Sequence, residues 1–206
     1  MAIRTAVNRA LTAITALPTA AALVNGNLTL LTTATASSSA TLDFTSSINS
    51  TYDSYLFKFI DIHPATDDTD LTFQADTGTN TNYNQTITST AFQAFHGEDG
   101  NSGAVAYKAN RDQAQGTAFQ PLCQDIGNGN DESMSGHLHL FNPSSSTFVK
   151  HFIGLGTNVY SGDASIQIYS AGYINTTTAL TRVQFKMDSG NIDAGVIKMY
   201  GVGPKQ

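Results

Sequence analysis

Period-two alternation of apolar and polar residues is the dominant pattern of the chain after Thr41. The clearest runs are HLHLF at 137–141, FVKHFI at 148–153, SIQIY at 165–169 and RVQFKM at 182–187. Such alternation places apolar side chains on one face of a β-strand and polar side chains on the other. Turn-forming stretches separate the runs, including GNGN at 127–130 and NPS at 142–144. Because about eight such runs occur without intervening helical patterns, the sequence predicts an all-β fold, an antiparallel and jelly-roll-like β-sandwich.

The last two runs predict a hairpin at the end of the chain. DSGN at 188–191 has the composition of a turn and lies between RVQFKM and the final apolar run VIKMY. Strands joined by a short turn commonly pair, and side chains that face each other across the pair pack together. We therefore expect Phe185 to pack inward with Ile197 or Met199.

The run YLFKFIDIHP at 55–64 is apolar on both faces of the predicted strand. Strict alternation places Phe57 and Phe59 on one face and Leu56 and Ile62 on the other. A strand of this kind is typically covered on both sides, whereas a two-layer sandwich covers only one. We therefore expect a long loop, the N-terminal segment or a neighbouring subunit to cover the second face of this strand.

The N-terminal segment has a different pattern, with the period of an amphipathic helix that ends before Pro18. Its apolar positions are Ile3, Val7, Leu11 and Ile14. A helix this short is marginal alone, so we expect it to pack on its own domain, on sister copies or on a partner. A frayed tail is the alternative.

These patterns divide the chain into two parts. Residues 1–40 form a short helical or extended arm with a Ser-rich connector, and residues 41–206 form the sandwich. We interpret the arm as the attachment segment, with Ile3, Val7, Leu11 and Ile14 as its assembly residues.

Composition narrows the function classes. Charged residues make up 13 % of the chain, about half the ~25 % of an average soluble protein. The net charge is −6 and no Lys/Arg cluster occurs, so a nucleic-acid partner is not expected. No apolar run reaches the ~18 residues that a membrane span needs, so no membrane partner is expected. The single cysteine, Cys123, excludes an internal disulfide.

Candidate metal ligands follow the apolar run 55–64. Asp61 and His63 lie at its end, and the acidic stretch DDTD follows at 67–70. This stretch lacks the glycine and the bidentate glutamate of a calcium loop, and NGNDES at 128–133 fits no strict motif either. Aspartate and threonine are ordinary turn residues. We therefore interpret these residues as the end of a buried strand where it reaches solvent.

A second candidate is the histidine pair His137 and His139, which share one face of a strand. They would bind a metal only if a third ligand, such as His151 or His96, converged on them. No GxSxG, P-loop or HExxH motif occurs. A glycosidase with two catalytic carboxylates that are distant in sequence remains an alternative, because the spacing of the two acids along the chain is unconstrained. We expect no enzymatic activity, no cofactor and no bound metal.

Two polar loops are candidate receptor contacts: DTGTNTNYNQ at 76–85 and GEDGNSG at 97–103. Tyr83, Asn84 and His96 lie in or beside them. Aromatic faces and amide groups are the side chains that bind sugars, so we assign these three residues to glycan contact. The alternative is that both loops are solvated turns.

The chain contains three segments of recognisable pattern: FTSSINSTYDSYLFKFIDIHPATDDTDLTFQ at 44–74, GNDESMSGHLHLFNPSSSTFVKHFI at 129–153 and AGYINTTTALTRVQFKMDSGNIDAGVIKMYGV at 171–202. These segments resemble small structural proteins of marine tailed phages, including cyanophages. The resemblance covers residues 42–202 and rests on structural rather than catalytic motifs. The resemblance therefore indicates the fold more firmly than the function.

The resemblance implies a β-sandwich on the virion surface, assembled as a homotrimer of sister copies. The implied function is a tail-fibre or knob module, held to other virion proteins through the arm and able to contact a host glycan. The alternative is a capsid decoration or cement protein with a purely structural role.

Overall fold

A computed structural model of the protein describes residues 28–204. The predicted arm, including Ile3, Val7, Leu11 and Ile14, lies outside the described residues. The described part consists of twelve strands in two antiparallel sheets that pack against each other. The predicted all-β antiparallel sandwich is confirmed.

The strands divide unequally between the sheets. The larger sheet has eight strands in the order β1-β12-β3-β8-β9-β10-β5-β6, and the smaller has four in the order β2-β11-β4-β7. The bounds are β1 (Leu28–Thr35), β2 (Leu42–Phe44), β3 (Tyr52–Pro64), β4 (Leu71–Thr77), β5 (Ile87–Gly97), β6 (Gly103–Tyr107), β7 (Gln120–Pro121), β8 (Met134–Phe141), β9 (Lys150–Tyr160), β10 (Ala164–Ile174), β11 (Leu180–Met187) and β12 (Ile192–Pro204).

A cluster of phenylalanine rings joins the two sheets. Phe185 of β11 is fully buried, and its ring centroid lies 5.3 Å from those of Phe57 and Phe59 on β3. Phe44 of β2 and Phe73 of β4 complete the cluster at 5.9 and 6.4 Å. Rings at these separations combine large apolar burial with favourable edge contacts. This cluster forms the centre of the core.

A bulge in β3 alters the predicted alternation. The register to β8 shifts between Phe59 and Ile62, and Asp61 has a φ of 49°. An extra residue in one strand reverses the facing of those that follow it. Ile62 therefore lies in the core with Phe57 and Phe59, where alternation had placed it opposite. The outer face of β3 retains Leu56 and Ile60, and Ile60 is exposed.

The last two strands do not form the predicted hairpin. β11 pairs with β2 and β4 in the smaller sheet, whereas β12 pairs with β1 and β3 in the larger one. The turn at 188–191 thus crosses from one sheet to the other. Phe185, Ile197 and Met199 are nevertheless all buried, because both strands turn their apolar faces toward the same core.

Residues 28–40, which the sequence analysis placed in the arm and connector, are held to the larger sheet. β1 pairs with β12, and Ala36 donates a main-chain hydrogen bond to Gly195 over 2.9 Å. Ala36 itself is buried in the core. The chain is therefore part of the sandwich from Leu28 onward.

A partly buried ion-pair network ties the long connection between β6 and β8 to the start of β4. Arg111 Nε lies 2.7 Å from the carboxylate of Asp70 at the start of β4, and Arg111 Nη2 lies 2.9 Å from that of Asp125. The main-chain N–H of Asp125 donates to Asp70 over 2.8 Å. Burial raises the pKa of Asp70 to about 7, because desolvation disfavours its charged form.

Candidate functional site

The outer face of the eight-stranded sheet carries apolar side chains where a solvated face would carry polar ones. Cross-strand registers place Lys58, His137, Leu155, Tyr169, Phe92 and Tyr107 in one row across β3, β8, β9, β10, β5 and β6. Exposed apolar groups of this extent mark interaction surfaces in soluble proteins. Most of the exposed large apolar residues belong to two groups, one near each edge of the sheet.

The β1-side patch consists of Leu28, Leu30, Leu56, Ile60 and Tyr200. Leu30 of β1 lies opposite Tyr200 of β12, which in turn lies opposite Leu56 of β3. Leu28 and Leu30 are about half exposed, at 47 % and 51 %. Because β1 is the edge strand, this patch reaches the rim of the sheet.

The aromatic patch consists of Phe92, Val105, Tyr107 and Tyr169, which are all exposed. The rings of Phe92 and Tyr169 stack at 4.9 Å with an interplanar angle of 11°. Phe92 also lies opposite Tyr107 on β6, the other edge strand. The Tyr107 hydroxyl donates to the Asp112 carboxylate, which raises the pKa of the tyrosine. Three strands thus hold the rings of this patch.

A polar depression of about 150 Å³ lies beside the aromatic patch. Its polar lining is formed by His96, Ser165 and Gln167. Along β5 and β10 these residues follow or precede the stacked ring pair by two to four positions, on the same outer face. The site therefore combines exposed rings with imidazole, hydroxyl and amide groups. His96, a predicted receptor contact, is one of them.

The other predicted receptor contacts lie elsewhere. Tyr83 is only 6 % exposed, and burial raises the pKa of its hydroxyl. Its main-chain N–H donates to Asp76 over 2.9 Å, so the residue anchors its loop to β4 and offers little ring surface to a ligand. Asn84 is exposed but precedes β5, whereas His96 lies near the end of that strand. Roughly nine residues of extended strand span about 30 Å, so the three residues do not form one site.

The aromatic patch is not among the sites predicted from the sequence. Phe92 lies in the alternating stretch TITSTAFQAF, and Tyr169 ends the run SIQIY. Alternation places Phe92 and Tyr169 on the face opposite the buried Ala91 and Ile168. The sequence alone therefore indicates that both rings face away from the core. It does not indicate that β5 pairs with β10, which brings the two rings together.

Asp61 and His63, at the end of the apolar run 55–64, meet the NGNDES turn in an open cleft of about 520 Å³. Asp61, His63, Asp131 and Glu132 line it. Several of these groups fix the turn itself: His63 Nε2 lies 3.1 Å from the Gly129 carbonyl oxygen, and Glu132 accepts the Gly129 N–H. Within residues 28–204 no group of three or more potential ligands is placed to hold a metal ion.

The histidine pair of β8 faces outward as alternation predicts. His139 Nε2 lies 2.8 Å from Ser54 Oγ, and its ring packs at 4.1 Å on Phe141. Burial lowers the pKa of both His137 and His139, and the neighbouring Lys58 adds to the effect at His137. His151 contacts Tyr173 at 6.2 Å and belongs to no ligand cluster of the described part. Among the described residues, the pair is therefore a packed element of the sheet surface.

Comparisons of the chain with family profiles, curated proteins and solved structures give no match. Within the described residues no helix is long and apolar enough to cross a membrane.

Proposed function

We propose that this protein is a virion structural protein of a tailed phage, a non-catalytic tail-fibre or knob module that contacts a host-surface glycan through the aromatic patch. The resemblance of residues 42–202 to phage structural proteins supports the assignment to a virion. The observation that carries the contact is the exposed ring group Phe92, Tyr107 and Tyr169 beside a polar depression on a rigid sheet.

The chemistry of the patch suits a sugar. Sugar rings have apolar C–H faces that pack on aromatic side chains, while their hydroxyls need donors and acceptors at the rim. His96, Ser165 and Gln167 supply such groups next to the rings. Because the rings stand on paired strands, little conformational entropy is lost on binding.

A shallow surface of this size favours weak binding by each copy, so we also propose that the module works as an assembly of sister copies, a homotrimer. Linking several sites in one assembly typically raises the apparent affinity by roughly 10²–10⁴-fold without any new contact. Light scattering coupled to gel filtration measures the oligomeric state directly, and a monomer at micromolar concentration would remove this part of the proposal.

The contact is tested with an array of bacterial surface oligosaccharides. The wild type, Phe92→Ala and Tyr107→Ala are compared, with Phe148→Ala as a matched control. Phe148 is 69 % exposed but precedes β9 and lies outside the patch. We expect binding by the wild type and the control, and a loss of at least tenfold for both patch variants. Equal binding by all four proteins would refute the assignment of the patch.

A capsid decoration or cement protein is the second candidate. The observation in its favour is the β1-side patch, whose exposed leucine and isoleucine side chains suit a permanent protein contact. Antibody labelling of particles separates the two functions. Label at the tail tip supports the fibre module, and many copies over the shell support the decoration protein.

A further inference from the structure

The rings of the aromatic patch continue as a row of apolar side chains across the sheet. Tyr107, Phe92 and Tyr169 lie side by side on β6, β5 and β10, and all three are exposed. Leu155 of β9 lies opposite Tyr169 and is half-buried. These four residues form the apolar row, which crosses four neighbouring strands.

A row of polar side chains runs beside the apolar row on the same face of the sheet. Gln167 of β10 lies opposite Thr157 of β9, which in turn lies opposite Ser135 of β8. Gln167 and Thr157 stand two residues along their strands from Tyr169 and Leu155, so the two rows are about 7 Å apart. We call Gln167, Thr157 and Ser135 the polar row.

The polar row is accessible and offers hydrogen-bonding groups to a ligand. Gln167 lines a shallow depression of about 150 Å³, Thr157 and Ser135 line a second one of about 220 Å³, and Ser165 lines both. Among the described residues, no hydrogen bond engages the side chains of Gln167, Thr157 or Ser165. Ser135 Oγ accepts the Asp61 N–H over 3.1 Å, which leaves the hydroxyl proton of Ser135 to donate.

We infer that the glycan bound at this site is an extended, uncharged oligosaccharide that lies across the strands, from the rings on β6 and β5 to the polar groups on β9 and β8. The inference rests on the proposed function and specifies its ligand. A pyranose ring has an apolar C–H face and a rim of hydroxyl groups. A chain laid along the two rows places the C–H faces on the apolar row and hydroxyls on the polar row.

The dimensions of the two rows favour a chain over a single terminal sugar. Four strand spacings separate β6 from β8, and at about 4.8 Å each they amount to about 19 Å. This length exceeds that of a disaccharide. A ligand that contacts both Tyr107 at one end and Ser135 at the other must therefore be an oligosaccharide of more than two units.

The charged groups around the two rows favour neutral sugars. Lys58 of β3 holds its ammonium over the Tyr200 ring at 5.8 Å, toward β12 rather than toward β8. Within β5, β6, β9 and β10, which the structure describes completely, the only lysine or arginine is Lys150, and it is fully buried. A carboxylate on a bound sugar would lose hydration without meeting an opposite charge, and the acidic side chains at the turns after β5 and β9 would repel it. These side chains line one depression and are Glu98, Asp99 and Asp163.

The test measures how the affinity of the full chain depends on ligand length and charge. The probe is an array that pairs neutral bacterial surface oligosaccharides of one to six units with uronic-acid-containing ones of equal length. The wild type is compared with Thr157→Val, which removes one hydroxyl of the polar row and retains the β-branched shape that suits a strand. The matched control is Thr33→Val, at an exposed position of β1 on the opposite edge of the sheet. Circular dichroism verifies that both variants are folded.

We expect the affinity of the wild type for neutral members to rise at least tenfold from two to four units. Thr157→Val should lose most of this gain, while Thr33→Val should bind like the wild type at every length. Binding that depends on Tyr107 but not on ligand length, or that favours the acidic members, would overturn the inference and leave the proposed function intact. If no member binds through Tyr107, the proposed function fails as well.

A second variant tests the path of the chain past β9. Thr157→Lys adds a cation to the polar row, where the wild type has a hydroxyl. If the glycan passes this position, acidic members of four or more units should gain at least tenfold in affinity, because a carboxylate then meets an opposite charge. Acidic disaccharides should gain less. An equal gain for short and long acidic members, or no gain at all, would contradict the extended path.

Discussion

Replacing Phe185 by alanine removes the ring that joins the two sheets. Phe185 is fully buried and contacts four other phenylalanine rings, two on each sheet, at centroid distances of 5.3 to 6.4 Å. A Phe→Ala change in a core costs about 3–5 kcal/mol, and a site enclosed by rings on both sides collapses poorly. We expect a loss of about 4 kcal/mol, a large share of the ~5–15 kcal/mol that stabilises a typical domain.

Urea unfolding followed by circular dichroism measures this loss, with the m-value checked for constancy between variants. Phe92→Ala is the matched control because Phe92 is 45 % exposed and stacks on one ring only. Its expected loss is about 1 kcal/mol. If Phe185→Ala cost no more than Phe92→Ala, the two sheets would not pack through this cluster and the core described above would be incorrect.

Three further predictions concern the network, a glycine and the histidine pair. The pKa of Asp70 is raised from its ordinary value of 3.8 to about 7, so between these pH values the folded protein holds a proton that the unfolded chain releases. Relative to Asp70→Asn, the free energy of unfolding of the wild type should therefore fall as pH rises from about 4 to 7. Urea titrations that show this free energy rising with pH would contradict the prediction. Gly156→Ala should cost more than about 2 kcal/mol in urea unfolding, because its Cβ would lie 2.2 Å from the main-chain oxygen of Leu122. A loss under about 0.5 kcal/mol would show that the main chain at Leu122 can move away from β9. EDTA should leave the melting temperature unchanged, since the β8 histidines belong to no ligand cluster among the described residues; a decrease of several degrees would establish a metal site.

The class of fold could be predicted from the sequence because burial follows local alternation. Leu138 and Leu140 are buried while the histidines between and beside them face outward, and Val183, Phe185 and Met187 are buried in the same way. These facings depend only on the pleat of each strand. A chain of many such runs with turns between them has few alternatives to a sandwich.

Pairing between distant strands could not be predicted from local pattern. The turn after Met187 resembles a hairpin turn, yet β11 and β12 belong to different sheets, because each strand finds partners far away in sequence. The bulge at Asp61 similarly depends on how β3 meets β8 and β12. One extra residue there reverses the facing of Ile62, which no alternation rule anticipates.

The candidate site shows the same limit. Tyr83 was assigned to a receptor contact because it lies in a polar loop, but its loop is anchored to Asp76 and its ring is buried. Phe92, Tyr107 and Tyr169 come from three separate runs and become one surface only through the order β10-β5-β6. A surface made across strands requires the registers, which a single sequence does not contain.

The affinity of the aromatic patch for a glycan tests the proposed function most directly. Once the array identifies a bound oligosaccharide, isothermal titration with the wild type, Tyr107→Ala and Phe148→Ala measures whether binding depends on the patch. We expect Tyr107→Ala to weaken binding at least tenfold, while Phe148→Ala binds like the wild type. Wild-type affinity in Tyr107→Ala, or an equal loss in Phe148→Ala, would contradict it.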